Sequence, residues 1–171
     1  MSILVGNDEK SNIEVKIRYI DKGVAGVRIF IDKEEEDSWV EKETTKRNNK
    51  KIELKAAGEE VPENLNIDAK EEVKQLKTFW RRADWGTQSK IVSESSKLND
   101  ATGESGTDWT KYRMSQMKNL MIAWDMVTAD GEAIPINEPI LKKMDFNVAL
   151  TLIALYEREV NPDEEELENL E

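Results

Sequence analysis

Apolar and polar residues alternate strictly in "NIEVKIRYI". Ile13, Val15, Ile17 and Tyr19 share one side of an extended chain, and Glu14, Lys16 and Arg18 share the other. After the Lys22-Gly23 and Ala25-Gly26 turn signals, Val27, Ile29 and Ile31 repeat the pattern. Period two with β-branched residues around glycines predicts a β-hairpin. A lone hairpin is marginal in water, so further strands are expected in "SWVEKETTK" and "KKIELKA", with the basic stretch 46–51, "KRNNKK", as the loop between them.

Residues 58–67 carry Gly58, Pro62 and two asparagines without a period and read as a linker. Beyond it the period lengthens. Asp68 followed by Glu71 is a capping-box pattern, and Val73, Leu76, Phe79 and Trp80 then fall at helical spacing. A second short helix is expected in "DWGTQSKIVSESSK", with Trp85, Gln88, Ile91 and Val92 along one face; "LNDATGESGT" reads as a loop. Asp108 then caps a helix expected to run to Val127, striped by Met114, Met117, Met121 and Trp124. Asn137, with Pro139 behind it, starts another helix containing Ile140, Leu141 and Met144. The last segment, "FNVALTLIALYE", is apolar nearly all the way round. Such a helix is covered on every side, by its own domain or by another chain.

The resulting fold class is α+β. A small antiparallel sheet region (1–57) leads through the linker (58–67) to a helical module (68–158) and an acidic tail (159–171). From Glu157 to Glu171 there are eight acids and one base, which places most of the net charge of −11 in that tail. Such a block reads as solvated and unpacked. Charged residues make up 36% of the chain against an apolar 38%, well above the usual charged share of about 25%. No run approaches the ~20 apolar residues of a membrane span, so a non-membrane, cytoplasmic protein is expected.

Composition also removes chemistry. With no cysteine and no histidine, thiol nucleophiles, disulfides, thiolate or imidazole metal sites and histidine acid–base catalysis are ruled out. The stretch "AWDMVTADGEAIPIN" (123–137) invites comparison with a calcium loop. Aligned on Gly131, the positions that should hold oxygen ligands carry Met126, Thr128, Asp130 and Asn137, and only one of the four fits. Asp125, Asp130 and Glu132 cluster in a chain with 36 acids, where clustering is expected. "SESS" lacks the nucleophile-elbow glycines and a histidine base, and no phosphate-binding glycine loop is present. No catalytic residue, metal ligand or cofactor is expected. Arg81 and Arg82 between Trp80 and Trp85 form the one place resembling a base-stacking platform, but the acidic surroundings disfavour nucleic acid. The default for Trp80, Trp85, Trp109 and Trp124 is core packing.

The order "WGTQSKIVSES", "YRMSQMKNLMIAWDM", "TADGEAIPIN", "ILKKMDFNVALTLIALYE" resembles small phage tail assembly chaperones over roughly residues 79–157. The positions carrying the resemblance, Trp124, Asp130, Gly131, Pro135 and the Phe146–Tyr156 helix, are structural. With Asn137 as the next cap, they make 123–137 a joint between a tryptophan-ended helix and a short one. The resemblance implies a protein of the infected cell's cytoplasm that binds the tape measure protein or tail-tube subunits. Phe146, Leu150 and Ile153 of the apolar helix, with Met121 of the deformable methionine stripe, are the candidate partner-binding residues, toward a client helix or a second copy. The alternatives are a virion structural or head–tail joining component and a small acidic inhibitor mimicking nucleic acid.

Overall fold

The computed structural model describes residues 12–98 and 105–161. Its class is α+β, as expected from the sequence. Strands β1 (Ile13–Asp21), β2 (Val27–Phe30), β3 (Lys74–Trp80) and β6 (Met121–Trp124) form one sheet in the order β2-β1-β3-β6. Strands β4 (Ser96–Leu98) and β5 (Ser105–Thr107) form a separate antiparallel pair. The helices are α1 (Lys33–Ala56), α2 (Trp85–Ser95), α3 (Trp109–Leu120), α4 (Glu138–Leu141) and α5 (Phe146–Val160). The described residues divide into two compact units, 17–76 and 12–16 with 77–161, not at the expected 58–67 linker.

In the 17–76 unit, the expected hairpin is present: β1 and β2 pair antiparallel from Arg18↔Phe30 to Asp21↔Val27. A 3-10 turn at Gly23–Ala25 joins them, and both Gly23 and Gly26 take positive φ. The next segment is helical where two strands were expected. Asp32 caps α1 by accepting from the Glu35 N–H, and Glu35 reaches back to accept from the Ile31 N–H at 3.0 Å. Farther along, Lys33 pairs with Asp37 and Arg47 with Glu43 at i,i+4 spacing, the register that supports a helix. The basic stretch 46–51 is therefore helical surface. Arg47 is almost covered, donating to Glu72 at 2.8 Å and to the Ile67 carbonyl at 2.9 Å, which ties the end of the linker and the segment after it to α1. At the other end, Glu36 is fully buried and holds Arg18 and Lys33. Burial pushes its carboxyl up, but the hydrogen bonds from Lys33 and Arg18 outweigh that and hold it below its ordinary range.

The helix expected from Asp68 is one 3-10 turn, Ala69–Glu72, followed by β3. Leu76, Thr78 and Trp80 are the buried positions of β3, a period of two disguised because Thr78 counts as polar. In the 12–16 and 77–161 unit that threonine is satisfied. Its hydroxyl donates to the Val15 carbonyl at 3.2 Å and accepts from the Trp80 indole N–H at 2.7 Å. Helix α3 stops seven residues short of its expected end. Met121 turns extended (ψ 121°) and 121–124 pairs antiparallel with β3, because the edge of β3 offers ladder hydrogen bonds: Arg81 N–H to the Leu120 carbonyl, Asp125 N–H to the Lys77 carbonyl. Half of the methionine stripe is core, with Met117 and Met121 buried and Met114 and Trp124 half-buried. Two further expectations change: the "LNDATGESGT" loop contains strand residues at both ends, and α5 continues to Val160, while residues 162–171 of the acidic tail lie outside the described residues.

Candidate functional site

The joint at 123–137 is built as a small hairpin. The Thr128 N–H donates to the Glu132 carbonyl at 2.8 Å and the Gly131 N–H to the Thr128 carbonyl at 3.0 Å, with Val127 bridging Ala133. Gly131 sits at φ +83°, a conformation that side-chain-bearing residues avoid. The returning arm is pinned twice: the Ile134 N–H donates to the Met126 carbonyl, and the half-buried Trp124 indole donates to the Ile134 carbonyl at 2.6 Å. Asn137 then caps α4, accepting from the Ile140 N–H at 3.1 Å, with Pro139 in the first turn. Asp130 and Pro135 are exposed on this hairpin. The arrangement is a joint from strand β6 to helix α4, without converging reactive groups. Among the described residues no cluster of acids could hold a metal ion, and no helix is long and apolar enough to cross a membrane.

Helix α5 follows its cap, Asp145, whose side chain accepts from the Asn147 and Val148 N–H groups. Val148, Leu152, Ile153 and Tyr156 form its inner face and are buried. Tyr156 stacks on Trp80 at 4.8 Å and donates its hydroxyl to the Arg81 carbonyl at 3.1 Å; burial pushes that hydroxyl's pKa up. The outer face carries Phe146, 66% exposed, then half-buried Leu150 and exposed Ala154 at i,i+4,i+8. The structure therefore splits the four candidate contact residues. Phe146 and Leu150 are available to a partner, whereas Ile153 and Met121 are core. The apolar surround of α5 is mostly met within its own unit, leaving one stripe instead of a whole helix to cover.

Two aromatic residues assigned to the core are instead outside it: Trp85 is 87% exposed and Trp109 66%. Each is the first residue of a helix behind an aspartate cap, Asp84 accepting from the Thr87 N–H and Asp108 from the Thr110 and Lys111 N–H groups. Trp109 packs edge-on against Tyr112. Trp85 shares its face of α2 with exposed Val92, seven residues on, whereas Trp109 falls in line with buried Gln116 and Leu120, so helical spacing alone placed it in the core. Helix α2 buries Ile91 and Ser95, and Ser115 of α3 donates to Glu94 at 2.5 Å, which with desolvation opposing holds that carboxyl below its usual range.

At the C-terminal end of α5 a cleft of about 650 Å³ opens, lined among others by Gln88, Tyr112, Gln116, Leu120, Tyr156 and Glu157. Gln88 Nε2 donates to the Tyr112 hydroxyl and Gln116 Nε2 to Glu157 Oε1, both at 3.0 Å. No family model, curated protein or solved structure matches this chain.

Proposed function

We propose that the chain is a non-enzymatic phage tail assembly chaperone that binds the tape measure protein, tail-tube subunits or both in the host cytoplasm. The observation that carries this reading is the outer stripe of α5. Phe146 and Leu150 leave an apolar, aromatic-led strip on a helix whose inner face is fully engaged, the kind of surface an amphipathic client helix covers. Exposed Trp85 and Trp109 add residue types enriched among interface anchors. The element order over 79–157 that carries the family resemblance supports the same reading. Keeping a long apolar helical client soluble requires only reversible burial of such stripes.

The test is coexpression with the tape measure protein of the same phage. The tape measure protein is expected to stay soluble with this chain and to precipitate without it, and Phe146→Glu with Leu150→Asp should abolish the rescue. Equal solubility in its absence overturns the reading. A second reading, a virion component joining neighbouring subunits, draws on β6, a terminal strand of its sheet with Ile122 exposed. Finding the chain in washed virions would favour it over a chaperone.

A further inference from the structure

A second groove, of about 410 Å³, is lined by residues of α2, α3 and α4 and carries two cations without partners. Lys111 and Lys118 of α3 are exposed and hold no ion pair or hydrogen bond among the described residues. Seven residues apart, they stand on one side of the helix, about 10.5 Å from each other along its axis. Half-buried Met114 lies between them. Glu94 and Glu138 line the groove as well, but both are engaged. Glu94 accepts from Ser115 at 2.5 Å, and Glu138 pairs with Lys142 at 2.7 Å. With Lys142 counted, three lysines face two carboxylates, so the groove is net positive in a strongly acidic chain.

We propose that residues 165–171 of the same chain dock in this groove, with Glu168 on Lys111, Glu171 on Lys118 and Leu170 against Met114. The sequence "EELENLE" repeats with a period of three: acids at 165, 168 and 171, leucines at 167 and 170. Three residues of extended chain cover about 9–10 Å, close to the separation of the two lysines. The reach is also sufficient. Asn161 borders the cleft beside Tyr112 and Gln116, and Gln116 is two residues, about 200° of turn, from Met114. Half the circumference of a helix about 10–12 Å across is roughly 16–19 Å. The seven residues from Asn161 to Glu168 span up to about 23–25 Å. Exposed ion pairs are individually weak, but a short tether holds the acids at an effective concentration in the millimolar range. Charge alone reads the tail as solvated; the groove supplies the countercharges and the apolar floor. Neither Phe146 nor Leu150 lines it, so docking here stands or falls apart from the chaperone reading.

The experiment attaches a nitroxide at Asn169→Cys in the full-length chain, which has no other cysteine, and reads paramagnetic broadening in samples labelled with 15N and with 13C at the methionine methyls. The Met114 methyl should broaden more than the Val160 amide, although Val160 is far nearer the label in sequence. Lys111→Glu with Lys118→Glu should lower the Met114 broadening about fivefold, the loss of population that two exposed ion pairs imply. Salt at about 1 M, where charges are screened within ~3 Å, should do the same. Adding Glu168→Lys and Glu171→Lys to the reversed lysines should restore the broadening. Met114 broadened no more than Val160, or broadening indifferent to both charge reversal and salt, overturns the proposal. So does broadening that appears only between molecules, when isotope-labelled chain is mixed with spin-labelled chain, because the occupant is then a second copy. If the reversed-lysine variant does not fold, salt and Glu168→Lys with Glu171→Lys on the native groove still decide it.

Discussion

The Trp80 indole lies against the Tyr156 ring with centroids 4.8 Å apart and planes 22° from parallel. Both rings are also tied at their polar ends: the indole N–H to Thr78, the phenol to the Arg81 carbonyl. Thr78 is therefore a relay, accepting from the indole and donating its own hydroxyl hydrogen bond to the Val15 carbonyl. Thr78→Val keeps the shape but strands the indole N–H and the Val15 carbonyl in a dry interior. It should cost about 1–3 kcal/mol, and Thr78→Ser should recover most of that. Urea unfolding followed by tryptophan fluorescence measures both. Equal stability of the valine variant would show that the relay contributes nothing.

The two faces of α5 should respond oppositely to charge. Phe146→Glu places a carboxylate at an exposed position in the first helical turn, where the helix dipole favours it, and should leave stability within about 0.5 kcal/mol of the wild type. Ile153→Asp buries a charge without a partner in the core and should cost more than about 3 kcal/mol. Thermal melts separate the two. A large loss in the Phe146 variant would mean that the outer stripe is already packed.

Gly131→Ala tests the joint through the backbone alone. Beyond its own chain neighbours no atom lies within 4 Å of where its Cβ would go, so any destabilisation comes from φ +83°. About 1–2 kcal/mol is expected, with Gly131→Asn milder because asparagine tolerates that region better. A neutral alanine variant would indicate that the hairpin turn relaxes without consequence.

Acid should act through Glu36. Its folded pKa lies below the unfolded reference of 4.5, so the unfolded chain takes up the proton first as pH falls. Its contribution is complete above that reference and is lost as pH falls through the folded value. Glu36→Gln should lower stability at pH 7, by about 1.5–3 kcal/mol for charged hydrogen bonds, toward the low end because Arg18 and Lys33 stay partly solvated. It should also flatten the stability profile between pH 5 and pH 3 (about one unit either side of the carboxylate range). Unfolding midpoints of the two proteins at matched pH provide the check, and parallel profiles would remove Glu36 from the acid response.

Residue chemistry read along the chain was sufficient wherever the structure depends on neighbours a few places apart. The β1–β2 hairpin, the caps at Asp108 and Asn137, and the turn at Gly131 are of this kind, because a cap or a tight turn is satisfied by groups within four residues. The absence of histidine and cysteine likewise bounded the chemistry before any fold was known. Tertiary structure alone decided the rest. Thr78 becomes a core residue only because the Val15 carbonyl, distant in sequence, accepts its hydrogen bond. Residues 121–124 leave a helical pattern because β3, some forty residues earlier (Trp80↔Met121), supplies ladder partners that a helix end cannot. The helix at 33–56 carries little apolar periodicity and is held by ion pairs and by the reach of Arg47 to Ile67 and Glu72. The candidate site divides the same way. Phe146 and Leu150 could be named from the apolar run, but apolar residues at every angle do not say which angle faces the core. That was settled by where Trp80 and the inner face of α5 meet.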